Sequence, residues 1–217
     1  MRVSIYSAIC GEYDSLLPHP EMPDVDFVAF SDRDIDPNGW ELRSIDPIPE
    51  FPRLAAKMPK VLPHHFLPDY ETTIWVDGSH LITNPLFAKE AIESMGDSEM
   101  ALYKHPYRDC IYDEAEASVI LQKYQDQPIR AQVAAYRAEG HPEHFGLWAC
   151  GTLVRRNTPE IASLMDEWWS EINKWSIQDQ ISLPVVFRRA GFRPATFPHD
   201  QIVGNPWINI HSHNSNL

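Results

Sequence analysis

Cysteine is scarce: Cys10, Cys110 and Cys150 are the only three in 217 residues, far apart and without a CxxC pair. Such a set excludes a disulfide framework and a zinc knuckle, and reads as buried free thiols. Basic residues are also short, 18 against 31 acids, and the formal charge of −13 opposes binding to nucleic-acid phosphates or anionic lipid. A local basic patch could still take a phosphorylated small molecule. No apolar run approaches membrane-spanning length. The N-terminal MRVSIYSAIC is too short in its apolar part and too strand-like for a signal peptide, so a soluble cytoplasmic protein is the expectation. Glycine-rich phosphate signatures are absent, with no GxGxxG after the first strand and no GxxxxGKS/T, which excludes dinucleotide and P-loop chemistry of the usual kind. GxSxG and HExxH are missing too, and two easy hydrolase readings go with them.

What is present suits a single α/β domain. A chain of this length with 43% hydrophobic residues can bury a sizeable core, and its 19 prolines are scattered as turn punctuation instead of being gathered in a linker. Strand character is expected over 2–9, 25–30, 40–45, 72–77, in EMALYKH, and in GLWACGTLVRR. Helical character is expected in PRLAAKMPKVLPHHF, broken by Pro59 and Pro63, in NPLFAKEAIES with Asn84 as cap, and over 112–124, 128–139 and 178–190. TPEIASLMDEWWSEINKW is the clearest helix, with Thr158 as cap, Pro159 at its first position and an apolar stripe from Ile161 to Ile172 that belongs in the core.

Chemistry-bearing residues gather at strand ends. ETTIWVDGSH is a β-branched and aromatic run that stops at Asp77. Asp-Gly is a common turn signal, so a structural turn accounts for it alone. Two further strands, however, deliver Tyr13 with Asp14, and Asp32, to the ends where α/β sheets bind ligands. Lys57 stands in the apolar PRLAAKMPK segment. His105, Arg108, Asp109 and Glu114 follow a strand closely, either converging on one ligand or lying in a solvated loop. Asp179 and Gln180 open a helix, where an acid also favours the helix dipole.

Several of these stretches, in this order, resemble a known family: IYSAICGEYDSL, VDFVAFSD, KMPKVLPHHFLPDYETTIWVDGS, KHPYRDCIYDEA, GLWACGTLVRRN and QDQISLP. They are similar to the TOD1/MUCI70-type glycosyltransferase-like domain family, formerly a domain of unknown function and typified by plant mucilage-related proteins. The resemblance implies a GT-A-like fold over 1–217, with a central mixed sheet flanked by helices. A nucleotide-sugar-binding half would span 1–100, and an acceptor half with the C-terminal segment 101–217. It also implies transfer of a sugar from a nucleotide-sugar donor to a hydroxyl of a glycan or glycolipid, as in polysaccharide biosynthesis, aided by Mn2+ or Mg2+.

Asp77 then occupies the place of the DXD motif and meets the cation or the donor ribose. Ser79 replaces the second acid of that motif, so His211 or His213 is expected to complete the ligand set from a C-terminal segment closing over the site. Tyr13 and Asp32 would contact the nucleoside, and Lys57 and Arg108 the diphosphate, with Asp109 and Glu114 among the substrate-binding groups. Asp179, Gln180 and His105 form the catalytic set, Asp179 being the better base candidate because an amide cannot take a proton at neutral pH. Two other classes fit parts of the pattern. The incomplete DXD suits a non-catalytic nucleotide- or carbohydrate-binding module, and His105, Asp109 and the late histidines suit a metal-dependent hydrolase.

Overall fold

Strands buried on both faces form the centre of the molecule. The computed structural model describes residues 1–212. In it β1 (Val3–Ile9) and β4 (Thr72–Val76) are enclosed along their whole length, as parallel strands covered on both sides must be. β1 pairs in parallel with β4 and with β2 (Val25–Ser31), and β2 pairs in parallel with β3 (Glu41–Ser44). On the other side β7 (Trp148–Arg156) runs antiparallel between β4 and β6 (Met100–Lys104), and the two-residue β8 (Ala195–Thr196) lies parallel to β6. The sheet order is β3, β2, β1, β4, β7, β6, β8. This is a mixed, mostly parallel α/β sheet, as expected.

Helices cover both faces. Against one lie α1 (Pro52–Val61), α2 (Pro63–Phe66), α6 (Pro159–Lys174) and α7 (Asp179–Ala190), whose Val61, Met165, Trp168 and Phe187 pack with Tyr6, Trp75 and Leu153 of the strands. Against the other lies α3 (Phe87–Glu93), with Phe87 and Ala91 meeting Ile74 and Val154. α4 (Ile111–Ser118) and α5 (Ile129–Ala138) form a satellite cluster with α7 around Ile111, Tyr136 and Ile181. Thr158 caps α6 by accepting from the Ile161 amide at 3.4 Å, and Trp168 is wholly enclosed. The three thiols are free and buried.

Several local expectations are corrected. Pro59 does not break its helix: α1 runs through it to Val61, and the interruption falls at Leu62. Pro59 sits in the last turn, where a missing N–H forfeits one bond, and the burial of Pro59, Lys60 and Val61 offsets that loss. Asn84 caps a turn, accepting from the Leu86 amide at 2.8 Å, and α3 starts only at Phe87. The expected 112–124 helix ends at Ser118 and resumes as a 3-10 turn, Gln122–Tyr124. A second sheet joins β5 (His80–Ile82) to β9 (Ile208–Ile210), a pairing across the chain that no local pattern announces.

Candidate active site

The strand order reverses between β1 and β4, and ligands in open α/β sheets bind where such a reversal leaves a crevice. The chain leaves β1 through Gly11, in the left-handed region at φ +61°. The Gly11 amide donates to both carboxylate oxygens of Asp32, at 3.1 and 3.2 Å. Asp32 thus holds the turn that presents Tyr13 and Asp14. The chain leaves β4 through Asp77 and Gly78. A Cβ on Gly78 would stand 2.5 Å from Ile9 Cδ1, so any larger residue there must displace the Ile9 side chain. On β7, a Cβ on Gly151 would run into the His80 ring and the Gln201 amide. These close approaches leave a cleft of about 350 Å³ above the strand ends, within the usual size of small-molecule sites.

Four alternating charges make its floor. Lys57 and Lys60 lie one turn apart on α1, and both donate to Asp179 Oδ2, at 2.7 and 2.8 Å. Lys60 Nζ also lies 3.2 Å from Asp77 Oδ1, which accepts the Trp75 indole N–H at 2.6 Å. Asp179 and Lys60 are almost enclosed, their side chains 6% and 5% exposed, whereas Asp77 is 36% exposed toward the cleft. Burial opposes a charge on Asp179, but the two ammonium groups outweigh it and hold the carboxyl well below the usual carboxylate range. For Lys60 burial is likewise outweighed, by Asp179 and then Asp77, and its pKa rises. For Lys57 burial prevails over the attraction of Asp179, and the pKa falls. Asp77 is shifted down because Lys60 and His80 overcome its burial. Lys60 is positioned from behind by Arg155 of β7, fully buried, which donates to the Lys60 carbonyl at 2.7 Å and to the Tyr6 hydroxyl.

Two further cations line the cleft. The Arg53 guanidinium lies 5.8 Å from the Tyr13 ring centre and 5.2 Å from that of Tyr124, and donates to the Lys123 carbonyl at 3.1 Å. Neither Arg53 nor Lys123 forms an ion pair with a carboxylate among the described residues. Behind the wall, Gln178 donates to Glu114 Oε1 at 2.9 Å and accepts from the Tyr124 hydroxyl at 3.2 Å.

The structure therefore brings Tyr13, Lys57, Asp77, Glu114, Asp179 and Gln180 to one cleft. It does not bring His105, Arg108 or Asp109 into the cleft wall. Arg108 Nε is spent on Glu114 Oε2 at 2.6 Å, and His105 Nε2 stands 3.5 Å from that oxygen, while its Nδ1 accepts the Tyr107 and Arg108 amides. Asp109 is exposed and pairs with His144 Nδ1 at 2.6 Å. Asp32 serves the Gly11 turn. The His211 amide donates to the Ser79 carbonyl at 2.8 Å, but no described residue of the C-terminal segment lines the cleft, and the His211 side chain is exposed. His213 lies outside the described residues. Asp77 is a hard oxygen donor open to the cleft and fits one position of a Mn2+ or Mg2+ shell. It forms no three-ligand group with other described histidines, cysteines or acids.

Lys60, Arg53, Lys123, Tyr124 and Gln178 were not expected. A signal existed for two of them: Arg53, Lys57 and Lys60 recur at the spacing of one helix face, in a segment otherwise apolar.

Comparison with known proteins shows the family and the fold. Residues 40–198 match the profile of the family described as TOD1/MUCI70, glycosyltransferase-like domain. Over 146 residues, 62% of the chain, the sequence is 26% identical to a probable hexosyltransferase, MUCI70, of Arabidopsis thaliana, and the match takes in only 25% of that protein. Among solved structures, the bifunctional glycosyltransferase WbbM in its apo form superposes with a TM-score of 0.50 at 13% identity, over 90% of this chain and 38% of that one. The galactosyltransferase LgtC, in complex with donor and acceptor sugar analogs, does so with a TM-score of 0.50 at 13% identity, over 89% of this chain and 72% of that one. These neighbours share the GT-A-type fold.

Proposed function

Since the chain belongs to the TOD1/MUCI70 glycosyltransferase-like domain family, we propose that its cleft binds a nucleotide-sugar and transfers the sugar to a hydroxyl of a glycan or glycolipid. The observation that carries this reading is electrostatic. In a chain of net charge −13, four cations line one cleft at the strand ends beside four carboxylates, and of the cations Arg53 and Lys123 have no carboxylate partner among the described residues. A nucleoside diphosphate fits them in charge, and the Tyr13 and Tyr124 rings beside Arg53 offer flat faces to a base or sugar.

Bond cleavage at the anomeric carbon sends negative charge onto the leaving diphosphate. Fixed ammonium groups in a site of low dielectric stabilise that charge more than water does. Lys57 and Lys60 are held in place by Asp179 and Asp77 before the donor arrives, so their orientation costs little at the moment of reaction. Asp179, pinned between two ammonium groups, is a weak proton acceptor. It stays ionised and opposes the positive charge that grows on the sugar ring, while Gln180 beside it offers an amide to the sugar hydroxyls. This replaces the expected role of Asp179 as base. Mn2+ or Mg2+, when bound, would add charge neutralisation at the diphosphate, with Asp77 as the described residue that would hold it.

A thermal-shift screen of nucleoside diphosphates, with and without Mn2+, followed by donor-hydrolysis and transfer assays, tests the reading. Stabilisation by one diphosphate together with turnover is the expected result. Binding without turnover would make the chain a nucleotide-binding module, and no stabilisation by any nucleotide would overturn the assignment.

A further inference from the structure

A second cavity, of about 500 Å³, lies beside the N-terminus of α4 and is lined by Cys110, Asp113 and His144. One ligand atom from each of these three lies within 4.8 Å of the other two. The geometry points to a site for a zinc-class divalent cation held by Cys110, Asp113 and His144, separate from the cleft and independent of its reading. Thiolate, imidazole and carboxylate are all zinc ligands, and the thiolate selects against magnesium and calcium. At tetrahedral angles two zinc ligands stand about 3.3 to 3.8 Å apart, so three groups within 4.8 Å of one another would close in by about 1 Å through side-chain rotation to share one ion. The fourth position would face the cavity.

Three observations favour a cation here. Cys110 is 3% exposed and its sulfur makes no hydrogen bond among the described residues, although it faces the cavity. Once deprotonated, a thiolate is a strong ligand for a zinc-class ion. The arginines that line the cavity are each neutralised, Arg130 by Glu116 at 2.8 Å and Arg137 by Glu143 at 2.7 Å. Asp113 has no ion pair among the described residues. Asp109, outside the ligand set, accepts from His144 Nδ1 at 2.6 Å, the carboxylate–imidazole pairing that orients many metal-binding histidines. The other described grouping that could hold an ion, His64 with His65 and Asp166, has no thiolate to select a zinc-class ion. An ion at Cys110 would tie the start of α4 to the loop entering β7. The residue after Asp113 is Glu114, which faces the cleft, so the clip would brace the cleft wall.

Cobalt titration of the full, chelator-treated chain reads the site directly, because a thiolate–cobalt bond gives a charge-transfer absorption that oxygen and nitrogen ligands do not. A single equivalent should produce that band, and zinc should displace it. Cys110→Ser should abolish the band. The surface changes His144→Ala and Asp113→Asn should weaken cobalt binding at least tenfold, and Asp109→Asn by about tenfold. Asp77→Asn and His65→Ala should leave the thiolate band and its titration unchanged. No thiolate band at stoichiometric cobalt, or full affinity in both His144→Ala and Asp113→Asn, overturns the site. Loss of the thiolate band in Asp77→Asn or His65→Ala would place the ion elsewhere and overturn the site equally.

Discussion

Asp179 carries its charge inside the protein because two lysines face it, and that arrangement sets a pH dependence. Its pKa is lower in the folded than in the unfolded state, so the stability it contributes is present above the unfolded value, about 4, and fades as pH falls toward the folded one. Urea unfolding of the parent and of Asp179→Asn should therefore differ most near neutrality and converge in acid; a gap that widens below about pH 4 would contradict the pairing. Lys60→Met should cost about 3 kcal/mol, since removing one member of a buried ion pair leaves the other uncompensated. Gly78→Ala should cost about 1–3 kcal/mol by pushing on Ile9 Cδ1, and in an Ile9→Val background most of that cost should vanish. An additive double mutant would show that space is not the constraint. Asp77, Lys57 and Asp179 were legible as sequence anomalies, charges where apolar neighbours crowd. That Asp179 serves two lysines was not, because its electrostatic state is decided by residues more than a hundred positions away.

At the scale of elements, α1 is the cationic face of the cleft. Arg53 leads that face and is part-exposed without a carboxylate partner among the described residues. Arg53→Ala should weaken nucleoside-diphosphate binding about tenfold and leave thermal stability within about 0.5 kcal/mol, the two read in one thermal-shift series with and without nucleotide. Equal shifts by nucleotide in parent and variant would remove Arg53 from the site. α6 was fully legible, because cap, proline and apolar stripe agree. α1 was only half legible: its prolines argued for a break that tertiary burial moved to Leu62. His105, Arg108 and Asp109 sit close to the site in sequence, yet a turn between β6 and α4 directs them behind Glu114 or to the surface.

For the whole molecule, the second sheet closes one side of the fold. Trp207, 1% exposed, packs on Phe87, Tyr103 and Phe197 just before β9, and its indole donates to Glu90 at 2.5 Å. Trp207→Ala should cost about 3–5 kcal/mol in equilibrium unfolding, as for other large core aromatics. A loss under about 1 kcal/mol would mean that the segment around Trp207 is not part of the core. By itself the sequence determined β1 to β4, β6 and β7 and the main helices, and that Tyr13, Asp32 and Asp77 emerge at strand ends. Apolar patterning, caps and turn residues act over a few positions and carry that information locally. Only the tertiary structure decided that β7 runs against its neighbours, that β9 pairs with β5, that Lys60 belongs to the site, and that Cys110 and His144 meet. Those outcomes depend on which buried surfaces pack against each other and which charges then have no water to turn to, and such choices are made between segments, not within them.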